Sequence, residues 1–162
     1  MQAKMQHPKA MNMTQSHYAR LLAMTVVSYV AMFFLMYAMV DRLENVIPNF
    51  NQFYMAGLMT APMVVLELIL MGGMYPNKKL NGVLIAVGIA ALLLFWMLIR
   101  QQTAIDDRQF LKSMIPHHAG AILMCEKAKI TRPEVRRLCG EIESSQASQI
   151  ALMKSLLASQ PG

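Results

Sequence analysis

The residues of this chain that could do chemistry gather in one stretch, "MIPHHAGAILMC", residues 114–125. It holds two adjacent imidazoles, His117 and His118, two thioethers, Met114 and Met124, and one thiol, Cys125. Imidazole together with thioether suits copper, above all Cu(I), better than magnesium or calcium, which take oxygen ligands. Zinc could use His and Cys, but no four-ligand spacing is visible.

On a helix, residues three and four apart share a face. Stepping that way gives one seam of Asp107, Phe110, Met114, His117, Ala121, Met124 and Ala128. The neighbouring seam is Leu111, Ile115, His118, Ile122 and Cys125. Each seam carries one histidine, and together they make a wide face to bury. A later stretch has a comparable seam of Cys139, Glu143, Gln146, Ile150, Met153 and Leu157. Folded back, it brings Met153, Gln146 or Cys139 towards the histidines. The candidate metal ligands are therefore Met114, His117, His118, Met124, Met153 and Cys125. Methionine at heptad spacing serves equally well as core, so each thioether has a plain packing role as its rival. Cys125 and Cys139 flank a turn at Thr131, and could form a disulfide, act as ligands, or do neither.

The elements that must position these groups are helices. "TAID" at Thr103 resembles a capping box and predicts a helix from there to about Lys129. Pro116 removes a backbone donor inside it, which frees a carbonyl about one turn upstream and loosens the helix before the histidines. "ITRPE" then predicts a break and a second helix, with Thr131 as N-cap and Pro133 in the first turn, running to about Ala158. Residues 103–158 thus form an amphipathic helical hairpin.

Upstream, the sequence reads as membrane. The 162 residues are 56% hydrophobic and only 15% charged, against about a quarter charged in a soluble domain. Three apolar segments, about 21–40, 55–72 and 80–99, each approach the roughly 20 residues that a helix needs to cross a bilayer. The first is too long for a cleaved signal, and two more follow it. Residues 20–100 therefore make a three-helix membrane domain, preceded by a Met- and His-rich tail over residues 1–19, whose His7, Met11, Met13 and His17 could recruit copper. The tail and the second loop carry five basic residues (Lys4, Lys9, Arg20, Lys78, Lys79), and the opposite side four (Arg42, Arg100, Arg108, Lys112). That places the tail inside and the C-terminus outside. The net charge of +6 fits membrane-flanking charge. No basic stripe with interleaved aromatics marks a nucleic-acid surface.

Within the second span, Met55, Met59, Met63, Glu67 and Met71 recur at every fourth residue and wind part-way round the helix, where Met32 and Met36 of the first span could face them. Glu67 is the one ionisable residue well inside a span. It is either a functional site or a hydrogen-bonding partner for Ser28, Tyr29 or Thr60.

The hairpin resembles the bacterial domain-of-unknown-function 305 family, whose pattern runs D-x-x-F, M-I-P-H-H, A-x-x-M and then I-x-x-x-Q-x-x-E-I-x-x-M. The matching positions here are Asp107, Phe110, Met114, Ile115, Pro116, His117, His118, Ala121, Met124, Ile142, Gln146, Ile150 and Met153. The resemblance implies a ferritin-like four-helix bundle outside the cytoplasm and a link to copper binding or tolerance. Gln149 stands where the family usually has Glu, and Cys125 where a small apolar residue is common. Members often carry two hairpins in tandem and this chain has one, so two chains are expected to pair as a homodimer.

The expected fold class is all-α: three transmembrane helices followed by a hairpin that dimerises. The expected function is a bacterial inner-membrane protein that binds Cu(I) on a periplasmic hairpin. Its expected partners are the metal ion, the lipid bilayer and a second copy of the chain. A metal-free dimerisation module is the main alternative. A di-metal oxidase would need several inward carboxylates and Glu-x-x-His pairs; only Asp107, Glu143 and Glu126 are candidate carboxylates, and no Glu-x-x-His pair is present. No nucleophile–base pair, phosphate loop or cofactor fingerprint points to an enzyme.

Overall fold

A computed structural model describes residues 9–159, with side chains from residue 17 onward. The described residues are all helical, with no strand: α1 (Lys9–Leu35), α2 (Phe50–Leu70), α3 (Lys78–Arg100), α4 (Asp107–Lys127) and α5 (Pro133–Ser159). Two short 3-10 turns, Met36–Met39 and Leu43–Asn45, lie between α1 and α2. Three helical segments are long and apolar enough to cross a membrane: His17–Met39, Phe50–Leu70 and Lys78–Arg100. Helix α1 begins inside the stretch expected to be a tail. The tail's His7 lies outside the described residues, as do the side chains of Met11 and Met13.

The chain divides into two compact units, and the division cuts through helices rather than loops. One unit comprises the described residues up to Met32 together with Ala56–Met97; the other comprises Phe33–Met55 and the residues from Leu98 on.

In the first unit, Leu21, Leu68 and Tyr75 form the buried centre. Gly88 lets α2 and α3 approach, since a Cβ there would come within 2.6 Å of Val65. Glu67 finds a partner in the loop that follows its own helix. Its carboxylate accepts a hydrogen bond from Tyr75 Oη at 3.1 Å, and the Thr60 hydroxyl donates instead to Ala56 O of its own helix. Tyr75 is tied in further: Asn81 Nδ2 donates to its carbonyl at 2.9 Å, and Tyr18 Oη donates to Asn81 Oδ1 at 2.7 Å. Burial pushes the Tyr75 phenol up, and the hydrogen bond and charge of Glu67 add to it.

In the second unit, α4 and α5 form the hairpin. Its core is the second α4 seam, Leu111, Ile115, Ala119 and Ile122, packed on Ile150 and Met153 of α5. Two helix starts differ from the sequence expectation. The N-cap of α4 is Asp106, whose carboxylate accepts from Gln109 N at 2.7 Å, three residues after Thr103. Gln102 and Ala104 adopt left-handed backbone conformations (φ 49° and 57°), and these hold the intervening linker out of the helix. Helix α5 begins at Pro133, and the Arg132 carbonyl accepts the first helical bond, from Arg136 N at 3.0 Å. Arg132 therefore takes the capping position expected for Thr131, with Pro133 at the first helical residue, where its missing N–H costs nothing.

Candidate metal centre

Pro116 does not break α4, which runs through it. The proline leaves the carbonyl of Lys112 without its helical donor. The side chain of Asn49 covers that oxygen: its Nδ2 lies 3.4 Å from Lys112 O and 3.0 Å from Ile47 O. Oδ1 of the same buried residue accepts from Gln52 N at 2.9 Å, which caps the start of α2, and lies 3.2 Å from Ser113 Oγ. One asparagine thus docks the α1–α2 connection onto the proline turn of α4.

Gly120 supports the same docking. A Cβ there would stand 3.4 Å from the carbonyl oxygen of Met39, an ordinary van der Waals distance, so the 3-10 turn Met36–Met39 lies directly against α4 at this position. The linker after α3 is held as well. Gln102 and Asn51 exchange amide hydrogen bonds, both at 3.1 Å, and Tyr54 Oη donates to Thr103 O at 3.0 Å.

These contacts enclose an open cavity of about 660 Å³. Five methionines line it: Met36, Met39, Met55, Met114 and Met124. His117 is the sixth potential donor. No Asp, Glu, Lys or Arg lines it. The first α4 seam therefore faces a sulfur-rich cavity, while the second faces α5. Among the described residues, no group of three or more His, Cys, Asp and Glu is placed to hold a metal ion.

The six candidate ligands separate. Met114, His117 and Met124 line the cavity together. His117 is exposed, and its ring has no hydrogen-bond partner among the described residues; its neighbour His118 stands edge-on to it, with the ring centres 6.0 Å apart. His118 is buried, and both its nitrogens are committed. Nδ1 donates to Met114 O at 2.9 Å, and Nε2 lies 2.7 Å from the side-chain amide of Gln149. Either the ring carries both protons or the Gln149 amide turns its NH2 group to it. In both cases no lone pair is left for a metal, and His118 is a packing and hydrogen-bonding residue.

Met153 is 8% exposed in the α4–α5 core and does not line the cavity, because α5 packs on the opposite seam of α4. Cys125 is joined to Cys139 in a disulfide, with Cα atoms 5.3 Å apart, so its sulfur is not a thiolate ligand. Sequence reasoning missed Met39, and it set Met36 and Met55 on the first and second spans, where they lie, without bringing them to the hairpin. Their signal was present in the Met36–Met39 spacing at the end of the first span and in Met55 at the start of the second.

A family model described as a domain of unknown function (DUF305) matches residues 97–160. An uncharacterized protein of Acanthamoeba polyphaga mimivirus is 32% identical over 141 residues, which cover 85% of this chain and 90% of that relative. The likeness therefore extends beyond the hairpin into the apolar segments. No solved structure matches the chain.

Proposed function

Since this chain belongs to the DUF305 family, with its family domain following three helices of membrane-spanning length, we propose that it is a membrane-anchored copper-binding protein that takes up Cu(I) at the methionine cavity. One observation carries the reading: five thioethers and an uncommitted imidazole line one cavity that contains no carboxylate. Neutral soft donors hold a monovalent soft cation without burying opposite charge, and they offer little to zinc, magnesium or calcium. Met36, Met39, Met55, Met114, His117 and Met124 are the residues from which the ligands are drawn.

The disulfide supports an extracytoplasmic hairpin, because such bonds persist in oxidising compartments. We place the hairpin in the periplasm and the three spans in the bacterial inner membrane, the orientation that the basic residues favour. The protein then handles or tolerates copper outside the cytoplasm.

A second copy of the chain is the proposed partner. Val135, Leu138, Leu152 and Leu156 of α5 are exposed, and they fall on one three-four spacing that runs through Ile142, Ser145 and Gln149, the last of which also reaches His118 of α4. Two such stripes packed together give a four-helix bundle. The same stripe favours the alternative of a dimerisation module without metal.

Metal analysis separates the two. Protein purified in detergent without chelator is expected to carry copper, with sulfur and nitrogen neighbours in its X-ray absorption spectrum. Copper-free protein that also fails to take up Cu(I) on reconstitution leaves only the dimerisation module.

A further inference from the structure

A second cavity lies in the same unit, away from the methionines. It has a volume of about 350 Å³ and is bordered by Asp41, Asn45, Glu126, Glu143 and Lys154, with an apolar floor that includes Ile150. Its donors are all oxygen, and they come from three elements: the turn Leu43–Asn45 with the residues before it, α4 and α5.

Asn45 is the informative residue. It is 3% exposed, and its Oδ1 is a buried acceptor without a hydrogen-bond partner. The orientation of its amide is fixed, because Nδ2 donates to Asp41 Oδ1 at 2.6 Å; turning the amide round would set two oxygens against each other. Buried polar atoms in folded proteins nearly always have a partner, so Oδ1 calls for a donor or a cation.

The charges around it point to a cation. Arg42 lies 4.0 Å from Asp41 and 3.9 Å from Glu44, and Lys154 lies 3.7 Å from Glu44, so the two cations of the cavity are taken by those two carboxylates. Glu126 and Glu143, which face the cavity from α4 and α5, make no ion pair or hydrogen bond among the described residues. Two uncompensated carboxylates and an orphaned amide oxygen remain.

We propose that this cavity binds a hard divalent cation, with Asn45 Oδ1, Glu126 and Glu143 as its protein ligands and water completing the shell. Calcium fits this set best, since it accepts amide carbonyls and carboxylates in irregular geometry, whereas magnesium demands a near-ideal octahedron. Three protein ligands with only two carboxylates make a site of modest affinity, and the ion ties the Leu43–Asn45 turn to the hairpin. It is a different metal from that of the methionine cavity and shares no ligand with it.

The test is calcium titration by calorimetry on the full-length, chelator-stripped protein in detergent, with magnesium and manganese as comparisons. One calcium per chain is expected to bind. The Glu126→Gln/Glu143→Gln double variant, which changes accessible side chains without altering their size, is expected to weaken binding at least tenfold while leaving Cu(I) uptake unchanged. Absence of saturable binding of calcium, magnesium and manganese by the wild type overturns the proposal, and so does calcium binding that the double variant leaves intact.

Discussion

The side-chain amide of Asn49 stands 3.4 Å from the carbonyl oxygen of Lys112, the acceptor that Pro116 strips of its helical donor. A residue of the α1–α2 connection thereby repairs a defect in α4, and the repair brings Met36 and Met39 to the histidine helix. Replacing Asn49 with Ala leaves that carbonyl bare and removes the α2 cap, for a cost of about 1–3 kcal/mol. In a Pro116→Ala background the backbone N–H returns, so the cost of Asn49→Ala is expected to fall. Thermal unfolding of the four proteins in a double-mutant cycle measures this coupling. Equal losses in both backgrounds would show that Asn49 does not act through the proline turn.

His117 and His118 are expected to fail in different ways. His117→Ala removes an exposed ring with free nitrogens, so Cu(I) affinity falls at least tenfold while the melting temperature stays near wild type. His118→Ala removes a buried ring together with its hydrogen bonds to Met114 O and the Gln149 side chain, with a loss of about 1–3 kcal/mol in stability. Competition titration with a Cu(I) chelator and thermal unfolding, run on both variants, give the two readouts separately.

The difference between these neighbours was half legible in the sequence. Three-four spacing split α4 into two seams and assigned one histidine to each, because helical periodicity is local. Which seam meets α5 is a tertiary choice that periodicity does not encode. Periodicity alone therefore offers Met153 to the copper site, whereas the fold packs it in one core with Ile115 and Ile150. Met39 and Met55 were hidden for the same reason: the α1–α2 connection reaches α4 through Asn49, far away in sequence. The start of α4 was misplaced because left-handed conformations at Gln102 and Ala104, residues with no glycine-like preference for them, interrupt a plausible capping box at Thr103.

The disulfide closes a loop with a sequence separation of 14 residues. In the chain-entropy view a loop of about 15 residues is worth about 3 kcal/mol, so Cys139→Ser or a strong reductant should lower the melting temperature by that equivalent. Cu(I) stoichiometry should not change, because Cys125 is not a ligand. A loss of bound copper on reduction, followed by unfolding at an unaltered temperature, would reverse both assignments.

Tyr75 sets an alkaline limit. Its phenol is pushed up mainly by burial, then by Glu67, so the folded protein keeps the proton to higher pH than the unfolded chain does. The stabilisation is fully present below the ordinary phenol value of about 10 and is lost as pH rises from there through the folded value. Melting temperatures measured between pH 8 and pH 11, a range chosen to span about one unit or more on each side of that value, should fall at the upper end for the wild type. The decline should be shallower for Tyr75→Phe; parallel curves would assign the alkaline loss to other groups.

The most direct measurement is the Cu(I) stoichiometry and affinity of the wild type beside the Met114→Leu/His117→Ala double variant, by competition with a chromogenic chelator. Both side chains border the same cavity, and neither substitution removes a side-chain hydrogen bond seen in the fold. Saturable binding by the wild type, with a loss of at least a hundredfold in the variant and an unchanged melting temperature, is the expected result. Equal binding by the two proteins would contradict a copper site at the methionine cavity.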